Sequence, residues 1–407
     1  MSTRVACFAM SMAQKFRALR QVGNELVSAG AEVRFWTDAA FRRDVQAIGA
    51  SFVDLFDPVS FEEVDDASRP ISSRNVTFAA ERGAAVAEAA REWGADLVVY
   101  DSFTLIGEVV ARRLGLPWVP VVSGHLMDSV TMRRRTSAEA RTATDPRCTA
   151  AAVKLAREFG MTGASPFSYY ADASPWLNVT CEPEEWVDAT VAQRYQPLAC
   201  FGKLSATGLA PVAGRSIQTQ RLRIYAAFGT IIWWYWASQG ASALEAIAQA
   251  ARDVGADLVV GLGGGSIPSA SRDRLTALGA TVEDFADQAT ELRRADIFIT
   301  HGGASSVHEA IGASVPMLTL PFFSDQPVLS ARCKALGIAF PLIKGLGRDD
   351  VPDAGAIRLM IEDVQAHRPQ MLEALAKARA WEVRALESRP AIARRTLALA
   401  QQAADGR

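Results

Sequence analysis

The sequence has few cysteines and no long hydrophobic run. Its 407 residues include five cysteines, which are scattered along the chain without a C-x-x-C pair. An odd number of scattered cysteines argues against a disulfide framework or a zinc site and fits a reducing compartment. No apolar segment approaches the about 18 residues that a membrane span needs, and the N-terminus lacks the layout of a signal peptide. We therefore expect a cytoplasmic protein that does not bind membranes.

The sequence also lacks an excess of charge of either sign. Lys and Arg total 43, Asp and Glu total 45, and the formal net charge is −2. Nucleic acids and anionic lipids attract proteins with a basic surplus, so neither is an expected partner. The length predicts about two to three domains, each long enough to bury its own core.

Short apolar runs alternate with helical stretches in the first half of the chain. RVACFAM (4–10) predicts a buried strand, KFRALRQVGNELVSAG (15–30) a helix, and EVRFWT (32–37) a second strand. The runs ADLVVYD (95–101) and WVPVVS (118–123) repeat the pattern around another helix. Strand–helix–strand alternation predicts parallel strands covered by helices, an α/β fold.

The chain divides into two such domains joined by a linker. Residues 1–205 form the first domain, and the small, polar segment 206–220, punctuated by Gly and Pro, is typical of a linker. The second domain covers 221–385, and the helical segment 386–407 is a candidate to pack back on the first domain. Within the first domain the pattern weakens over 125–200, where prolines and aromatic residues predict an irregular stretch.

Alternation resumes in the second domain. The predicted strands lie in 221–230, 256–261, 281–285, 295–300 and 316–321, and the predicted helices cover 239–253, 288–294 and 304–312. The run GLGGGSIP (261–268) lacks the last glycine of a dinucleotide-binding fingerprint, so we predict only a flexible loop. Open parallel sheets bind ligands beyond the carboxyl ends of their strands, and the loops that follow them are where a site is expected.

A predicted anion site follows the strand ADIFIT. There HGGASSVHEAIG opens a helix, whose first backbone N–H groups are unpaired and carry the positive end of the helix dipole. Gly302 and Gly303 allow close approach of the backbone, and Ser305 and Ser306 add hydroxyl donors. His301 can donate to a phosphate oxygen and help to stabilise a departing diphosphate.

Further polar residues fit the rest of a nucleotide-sugar. Glu309, further along the same helix, is placed to accept hydrogen bonds from ribose hydroxyls. Asp325 and Gln326 follow the next strand through PFFS, and a carboxylate beside an amide can bind the vicinal diol of a hexose. His308, by contrast, is expected to be structural.

The pattern T-H-G-G-x-x-S-x-x-E-A, followed by P-x-x-x-D-Q, resembles the donor signature of the family 1 inverting glycosyltransferases. It looks most like the bacterial enzymes that decorate macrolides and other natural products, and the match is specific over 282–327. The resemblance implies the GT-B fold, in which two Rossmann-like α/β domains with parallel sheets face each other across a cleft. The first domain of that family binds the acceptor, the second binds the nucleotide-sugar, and no metal ion is used.

Carried over residue by residue, the resemblance implies a set of donor contacts. His301, Gly303 and Ser306 would bind the diphosphate, Glu309 the ribose, and Asp325 and Gln326 the sugar. In A-F-G-T, Gly229 and Thr230 would lie near the phosphates; Phe285 would stack on the base, with the Ala286 backbone at the base edge and Gln288 following. The chain departs from the family at Phe285, where Trp or Tyr is usual, and at Asp287, where Pro is usual.

The group that should activate the acceptor is not evident. Most members of the family place a histidine after the first strand, where this chain has Lys15, and the first histidine here is His125. Asp101 matches the aspartate that steadies the family's histidine. Asp101 could be the base, His125 could move in, or Lys15 could act if burial disfavoured its charged form. Alternatively the acceptor needs little help, as with a nitrogen nucleophile, an acidic phenol or an activated carbon, or the protein does not turn over.

Aromatic residues are candidates for contact with a flat acceptor. Trp233 and Trp234 belong to the run WWYW beside the predicted phosphate turn, where core packing competes with stacking on an aglycone. Phe78 belongs to the stretch 60–80, which together with 125–200 is expected to contact the acceptor.

These observations predict an inverting glycosyltransferase of secondary metabolism, such as antibiotic biosynthesis. It would move a hexose or deoxyhexose from a UDP- or TDP-sugar to a small natural-product acceptor, as a cytoplasmic monomer or homodimer. One alternative is a nucleotide-sugar epimerase or hydrolase of the same fold. Another is a non-catalytic protein that binds a nucleotide-sugar or a partner transferase.

Overall fold

The computed structural model describes residues 2–57, 71–127, 146–163, 173–209 and 221–406. The chain forms two compact units. Unit 1 consists of Met1–Lys203 together with Glu387–Arg407, and unit 2 of Leu204–Leu386. Most of the predicted linker, residues 210–220, lies outside the described residues.

Unit 1 contains a parallel sheet, with seven strands among the described residues. They are β1 (Arg4–Phe8), β2 (Glu32–Thr37), β3 (Ser51–Asp54), β4 (Leu97–Asp101), β5 (Trp118–Val122), β6 (Asn178–Thr180) and β7 (Leu198–Cys200). The spatial order is β3-β2-β1-β4-β5-β6-β7, and each neighbouring pair is parallel. The order therefore reverses between β1 and β4.

Helices cover both faces of this sheet. They are α1 (Ala13–Ser28), α2 (Arg42–Ala47), α3 (Ile71–Trp93), α4 (Ile106–Leu114), α5 (Pro146–Phe159) and α6 (Ala189–Arg194), with 3₁₀ turns at Ala39–Phe41 and Glu184–Trp186. Because side chains alternate across a strand, Ala6 and Phe8 join one hydrophobic cluster while Val5 and Cys7 join the other. The second cluster also contains Ile392 from the C-terminal segment of unit 1.

Unit 2 repeats the plan, with six parallel strands among the described residues. They are β8 (Arg223–Ala227), β9 (Asp257–Gly261), β10 (Thr281–Glu283), β11 (Ile297–Thr300), β12 (Met317–Thr319) and β13 (Ala339–Pro341). The helices are α7 (Ile232–Tyr235), α8 (Ala237–Asp253), α9 (Ser269–Ala277), α10 (Gln288–Arg294), α11 (Ala304–Ala313), α12 (Gln326–Ala335), α13 (Ala354–Ala366) and α14 (Arg368–Asp405), of which unit 2 holds the part up to Leu386. The strand order β10-β9-β8-β11-β12-β13 reverses between β8 and β11.

The α/β class predicted from strand–helix alternation is confirmed, but the expected irregularity of 125–200 is wrong in part. That stretch contributes α5, β6, α6 and β7 to unit 1. The two strands have only three residues each, too few for a periodic pattern to show. Asn178 in β6 is buried, and its amide donates to the carbonyl oxygens of Ser174 (2.8 Å) and Tyr195 (3.0 Å). A buried polar residue of this kind interrupts the apolar run by which a buried strand is predicted from sequence.

The structure also bears on cysteine, metal and membrane features. All five cysteines are free, and only Cys200 is more than slightly exposed. Within the described ranges, no group of three or more His, Cys, Asp or Glu side chains could hold a metal ion. None of the helices described is both long enough and apolar enough to cross a membrane.

The packing of α4 on β4 yields a stability prediction. A Cβ on Gly107 would lie 2.5 Å from Cβ and 2.6 Å from Cγ of the fully buried Tyr100. These atoms cannot move without the strand, so Gly107→Ala should lower the free energy of unfolding in urea by about 1–3 kcal/mol despite alanine's better helix propensity. Gly345→Ala is the matched control, since nothing lies within 4 Å of its added Cβ. Equal stability of the two variants would contradict the prediction.

Candidate functional site

A sharp turn joins β11 to α11 and carries the predicted anion site. Gly302 has φ 77°, which glycine adopts at no steric cost, and Gly303 is the residue just before the first turn of α11. A Cβ on Gly303 would lie 2.4 Å from Nε2 of His301, so only glycine leaves room for the imidazole ring. In the part of the chain that the structure describes, no side chain caps the start of α11. Its first N–H groups therefore face the site without a side-chain acceptor.

The turn after the neighbouring strand β8 closes the other side of His301. Thr300 pairs with Ala227 in the sheet, which brings the two strand ends together. Gly229 has φ 73°, and a Cβ there would lie 3.1 Å from the His301 ring. The imidazole is thus held between two glycines, at the point where the strand order reverses and where open α/β sheets bind ligands.

Burial determines the charge of His301. The side chain is 7% exposed, and burial lowers its pKa from the ordinary 6.5 to about 4. The Asp325 carboxylate and the Ala227 carbonyl oxygen act in the opposite direction but do not overcome burial. His301 is therefore neutral near pH 7 and offers an N–H donor rather than a full positive charge.

A hydrogen-bonded group connects the starts of α10 and α11. The amide nitrogen of Gln288 donates to Ser306 Oγ (3.3 Å) and to Glu309 Oε2 (2.6 Å). Ser306 is buried, whereas Ser305 and Glu309 are half-buried. Gln288 of α10 is thus joined in one network to two predicted donor-binding residues of α11, Ser306 and Glu309.

An exposed aromatic ring lies at the end of β10. Phe285 is 81% exposed, and a Cβ on Gly264 would lie 2.5 Å from its ring, so the ring rests on the glycine backbone. Ala286 next to it is half-buried. Asp287, which replaces the family's usual proline, caps α10 by accepting from the backbone N–H of Thr290 (3.4 Å). The departure from the family pattern therefore keeps a helix start at this point.

The glycine run after β9 belongs to the site, which the sequence analysis missed. A Cβ on Gly265 would lie 2.1 Å from the Trp233 ring, and one on Gly263 would lie 3.3 Å from the Gly229 carbonyl oxygen. The Thr230 hydroxyl donates to the Gly263 carbonyl at 3.4 Å. The run is a close-packed loop that supports the turn at Gly229 and the ring of Phe285. Three consecutive glycines after a strand were the available signal.

The predicted sugar contacts differ in their surroundings. Gln326 is 3% exposed, and its amide oxygen accepts from the backbone N–H groups of Phe322 (2.8 Å) and Phe323 (3.2 Å). This side chain therefore shapes the loop before α12, a structural role that the sequence analysis did not predict. Asp325 is half-buried, and its negative charge acts to raise the pKa of His301.

The three aromatic residues predicted to contact an acceptor separate into two kinds. Trp233 is 7% exposed and lies in the core of unit 2, and Phe78 is equally buried in the core of unit 1. We therefore interpret these two as packing residues, because residues of the core surround their rings. Trp234 is 63% exposed and keeps the predicted role as a proposal.

In unit 1, Asp101 ends β4 and is fully buried. Its two oxygens accept from the Phe103 backbone N–H and from the Ser123 hydroxyl, each at 3.0 Å. Burial raises the pKa of this carboxyl, while the ammonium groups of Lys15 and Lys203 lower it. Lys15 Nζ lies 3.9 Å from the centroid of the Phe103 ring. Lys15 and Asp101 are thus neighbours across the point where the strand order of unit 1 reverses.

Two buried histidines are each bound to a glutamate. His125 Nδ1 lies 2.9 and 3.1 Å from the two carboxylate oxygens of Glu182, a residue that the sequence analysis missed. No local pattern could reveal this pair, since 57 positions separate its members. His308 binds Glu382 of α14, which supports the structural role predicted for it.

Comparison with known proteins agrees with these observations. Residues 235–371 match the family model described as UDP-glucoronosyl and UDP-glucosyl transferase. Zeaxanthin glucosyltransferase of Pseudescherichia vulneris is 36% identical over 129 residues, which is 31% of this chain and 27% of that protein. The aligned stretch thus covers about a quarter of that relative's length.

Solved structures show the fold. The calicheamicin glycosyltransferase matches with a TM-score of 0.69 at 20% identity, over 95% of this chain and 96% of that one. A glycosyltransferase of Streptomyces sp. SF2575, complexed with thymidine diphosphate, matches with a TM-score of 0.60 at 15% identity, over 94% and 96% of the two chains. The GT-B fold and the resemblance to natural-product glycosyltransferases are confirmed.

The environment of His301 predicts a pH dependence of stability. Between pH 6.5 and about 4, the unfolded chain binds a proton at this residue that the folded chain does not. The free energy of unfolding therefore falls as pH falls through this range. In His301→Asn this contribution is absent, so the loss of stability between about pH 7 and about pH 4 should be smaller by up to roughly 3 kcal/mol. The exposed His367, as His367→Asn, serves as the control in the same urea titrations; parallel curves for wild type and His301→Asn would contradict the prediction.

Proposed function

We propose that this chain is an inverting glycosyltransferase that moves a hexose or deoxyhexose from a UDP- or TDP-sugar to a small natural-product acceptor. The observation that carries the proposal is the turn at 301–303, in which glycines hold a neutral imidazole at the uncapped start of α11. We also propose that the protein is cytoplasmic and is a monomer or a homodimer.

The diphosphate of the donor is assigned to this turn. Backbone N–H groups at the start of α11 and the hydroxyl of Ser306 would donate to phosphate oxygens, and the helix dipole favours their negative charge. His301 would donate one further hydrogen bond. These donors are fixed before the ligand arrives, so we propose that binding and transfer need no metal ion.

The nucleoside is assigned to the neighbouring network. Glu309, oriented by Gln288, would accept from the ribose hydroxyls, and the exposed ring of Phe285 would stack on the base. The match to a family described by its UDP-sugar donors supports uridine, and the relative complexed with thymidine diphosphate supports thymidine. Phe285 stacks on either pyrimidine, so both stay in the proposal.

Transfer would be one direct displacement at the anomeric carbon. As the acceptor attacks, the bond from the anomeric carbon to the phosphate oxygen breaks and its electron pair stays on the leaving diphosphate. Donors already aimed at that oxygen stabilise the developing charge without reorganising, which is the larger part of the catalytic effect that we propose. Asp325 would orient the sugar through its hydroxyls.

One observation favours a second candidate, a protein that binds a nucleotide-sugar without turnover. Lys15 occupies the position where the resemblance implies a catalytic histidine. Binding of UDP or TDP in calorimetry, with no UDP or TDP released from a donor by any acceptor, would favour this candidate. Release of free sugar without an acceptor would favour a hydrolase.

The first test is removal of the imidazole. His301→Ala should lower kcat by about 10²–10³-fold, because one donor to the developing charge is lost. The fold should persist, since a buried neutral ring is replaced by a small apolar group. The readout is release of the nucleoside diphosphate, and His367→Ala is the matched control for an exposed histidine.

Two outcomes separate the parts of this proposal. Unchanged turnover in His301→Ala would remove this residue from the mechanism. No heat on titration of wild type with UDP and TDP compounds would overturn the donor site as a whole.

The second test concerns the base platform. Phe285→Ala should weaken UDP or TDP binding about two- to tenfold, in line with about 0.5–1.5 kcal/mol for an aromatic stack, and should leave stability unchanged because the ring is exposed. Phe285→Trp should retain the affinity. Leu359→Ala, another exposed apolar residue of unit 2, is the control in the same calorimetric titrations. Equal affinities for wild type and Phe285→Ala would contradict stacking.

A further inference from the structure

Tyr225, a buried tyrosine of unit 2, reaches the carboxyl edge of the sheet at which the nucleoside is proposed to bind. It is the third residue of β8 and 2% exposed, and its ring stacks on that of Phe298 in β11, with centroids 5.2 Å apart. A Cβ on Gly261, the last residue of β9, would lie 2.7 Å from the Tyr225 hydroxyl oxygen. The sheet therefore fixes the ring, while the hydroxyl lies at the end of the neighbouring strand.

Glycine at position 261 leaves the space that this hydroxyl needs. The backbone of Gly261 does not adopt the left-handed conformation, so its conformation does not call for glycine. An added Cβ would meet the Tyr225 hydroxyl at 2.7 Å and the Ala286 Cβ at 3.1 Å. The hydroxyl and Ala286 thus border the same space, and Ala286 directly follows Phe285, the proposed platform for the base.

The Tyr225 hydroxyl has no hydrogen-bond partner among the residues that the structure describes. A buried tyrosine usually finds a partner for its hydroxyl, so the missing one calls for an explanation. In the described part of the chain, the fully enclosed side-chain atoms without a partner are others, such as Trp233 Nε1 and Thr180 Oγ1. The Tyr225 oxygen is therefore not sealed inside the core, and a ligand can reach it.

The charges around this hydroxyl decide which ligand group suits it. Burial, and then the negative charges of Glu291, Glu309, Glu283 and Asp287, raise the pKa of Tyr225 above its ordinary value of 10, so the hydroxyl keeps its proton and can donate. The same carboxylates repel an anionic group of a ligand. A neutral acceptor, such as a carbonyl oxygen, fits these surroundings better than a phosphate does.

We propose that Tyr225 is a specificity-determining residue of the donor site, whose hydroxyl donates a hydrogen bond to a carbonyl oxygen of the pyrimidine base. The assignment rests on the proposed transfer from a UDP- or TDP-sugar, in which Phe285 stacks on the base. Uracil and thymine each carry two ring carbonyls, so the contact suits both. It also adds a selection that stacking does not supply, because every base offers a π face to an aromatic ring.

The first measurement removes the hydroxyl alone and follows UDP and TDP binding by calorimetry. Tyr225→Phe should weaken binding about two- to tenfold, the effect of one neutral hydrogen bond. Its stability in urea should equal that of wild type, because the hydroxyl has no bond to lose within the protein. The matched control is Tyr100→Phe, since the Tyr100 hydroxyl donates to Glu108 at 3.3 Å in unit 1. That variant should lose stability and keep the affinity.

The 2-thio and 4-thio analogues of the same nucleotides locate the contact, because sulfur accepts a hydrogen bond more weakly than a carbonyl oxygen. In wild type, one analogue should bind about two- to tenfold more weakly than its parent, and in Tyr225→Phe this difference should disappear. Equal affinity of wild type and Tyr225→Phe for UDP and TDP, or the same differences for both analogues in the two proteins, overturns the contact and leaves the donor site standing. Absence of binding of UDP and TDP to wild type overturns the proposed function and the contact with it.

Discussion

Reversal of strand order in a parallel sheet is the constraint on which both halves of this protein depend. Loops that leave two neighbouring strands in opposite directions open a crevice at their carboxyl ends. In unit 2 that crevice lies between β8 and β11, and the His301 ring lies there next to Gly229. In unit 1 the corresponding point lies between β1 and β4, where Asp101 ends its strand and the ammonium group of Lys15 acts to lower the pKa of its carboxyl. The backbone topology therefore decides which residues can form a site before any side chain is considered.

Two positions in unit 2 require glycine because a larger residue would collide with the imidazole of His301. Gly229 and Gly303 each leave the space that the His301 ring occupies, and a methyl group at either position would displace it. Burial keeps the ring neutral, so an anion would be attracted by the dipole of α11 and by N–H donors, not by a charged imidazolium. A bound diphosphate would favour the protonated ring, so occupancy and protonation of His301 are thermodynamically linked.

How much could be predicted depended on how local the signal is. The predicted helices 239–253 and 288–294 correspond to α8 and α10. They could be predicted because amphipathic periodicity and helix-start signals depend only on residues that are close together in the sequence. The turn between β11 and α11 was also predictable, because its glycines and the start of the helix are contiguous in sequence. The pair His125–Glu182 was not predictable, because only the pairing of β5 with β6 brings the two together. Burial of Trp233 likewise depends on Gly265, which comes from another loop.

Three histidines of this chain are almost equally buried, so burial alone cannot explain their different tasks. His301 lies against glycines and carries no directly bonded carboxylate among its described contacts, so burial keeps it neutral and suited to donate to an anion. His125 and His308 each have a glutamate at Nδ1. A carboxylate at Nδ1 stabilises the protonated form of the ring, so each of these two histidines joins two parts of its unit. His308 of α11 bonds to Glu382 and so joins two helices, whereas His125 bonds to Glu182 and so joins the segments that follow β5 and β6; the different partners, and not the degree of burial, set the three histidines apart.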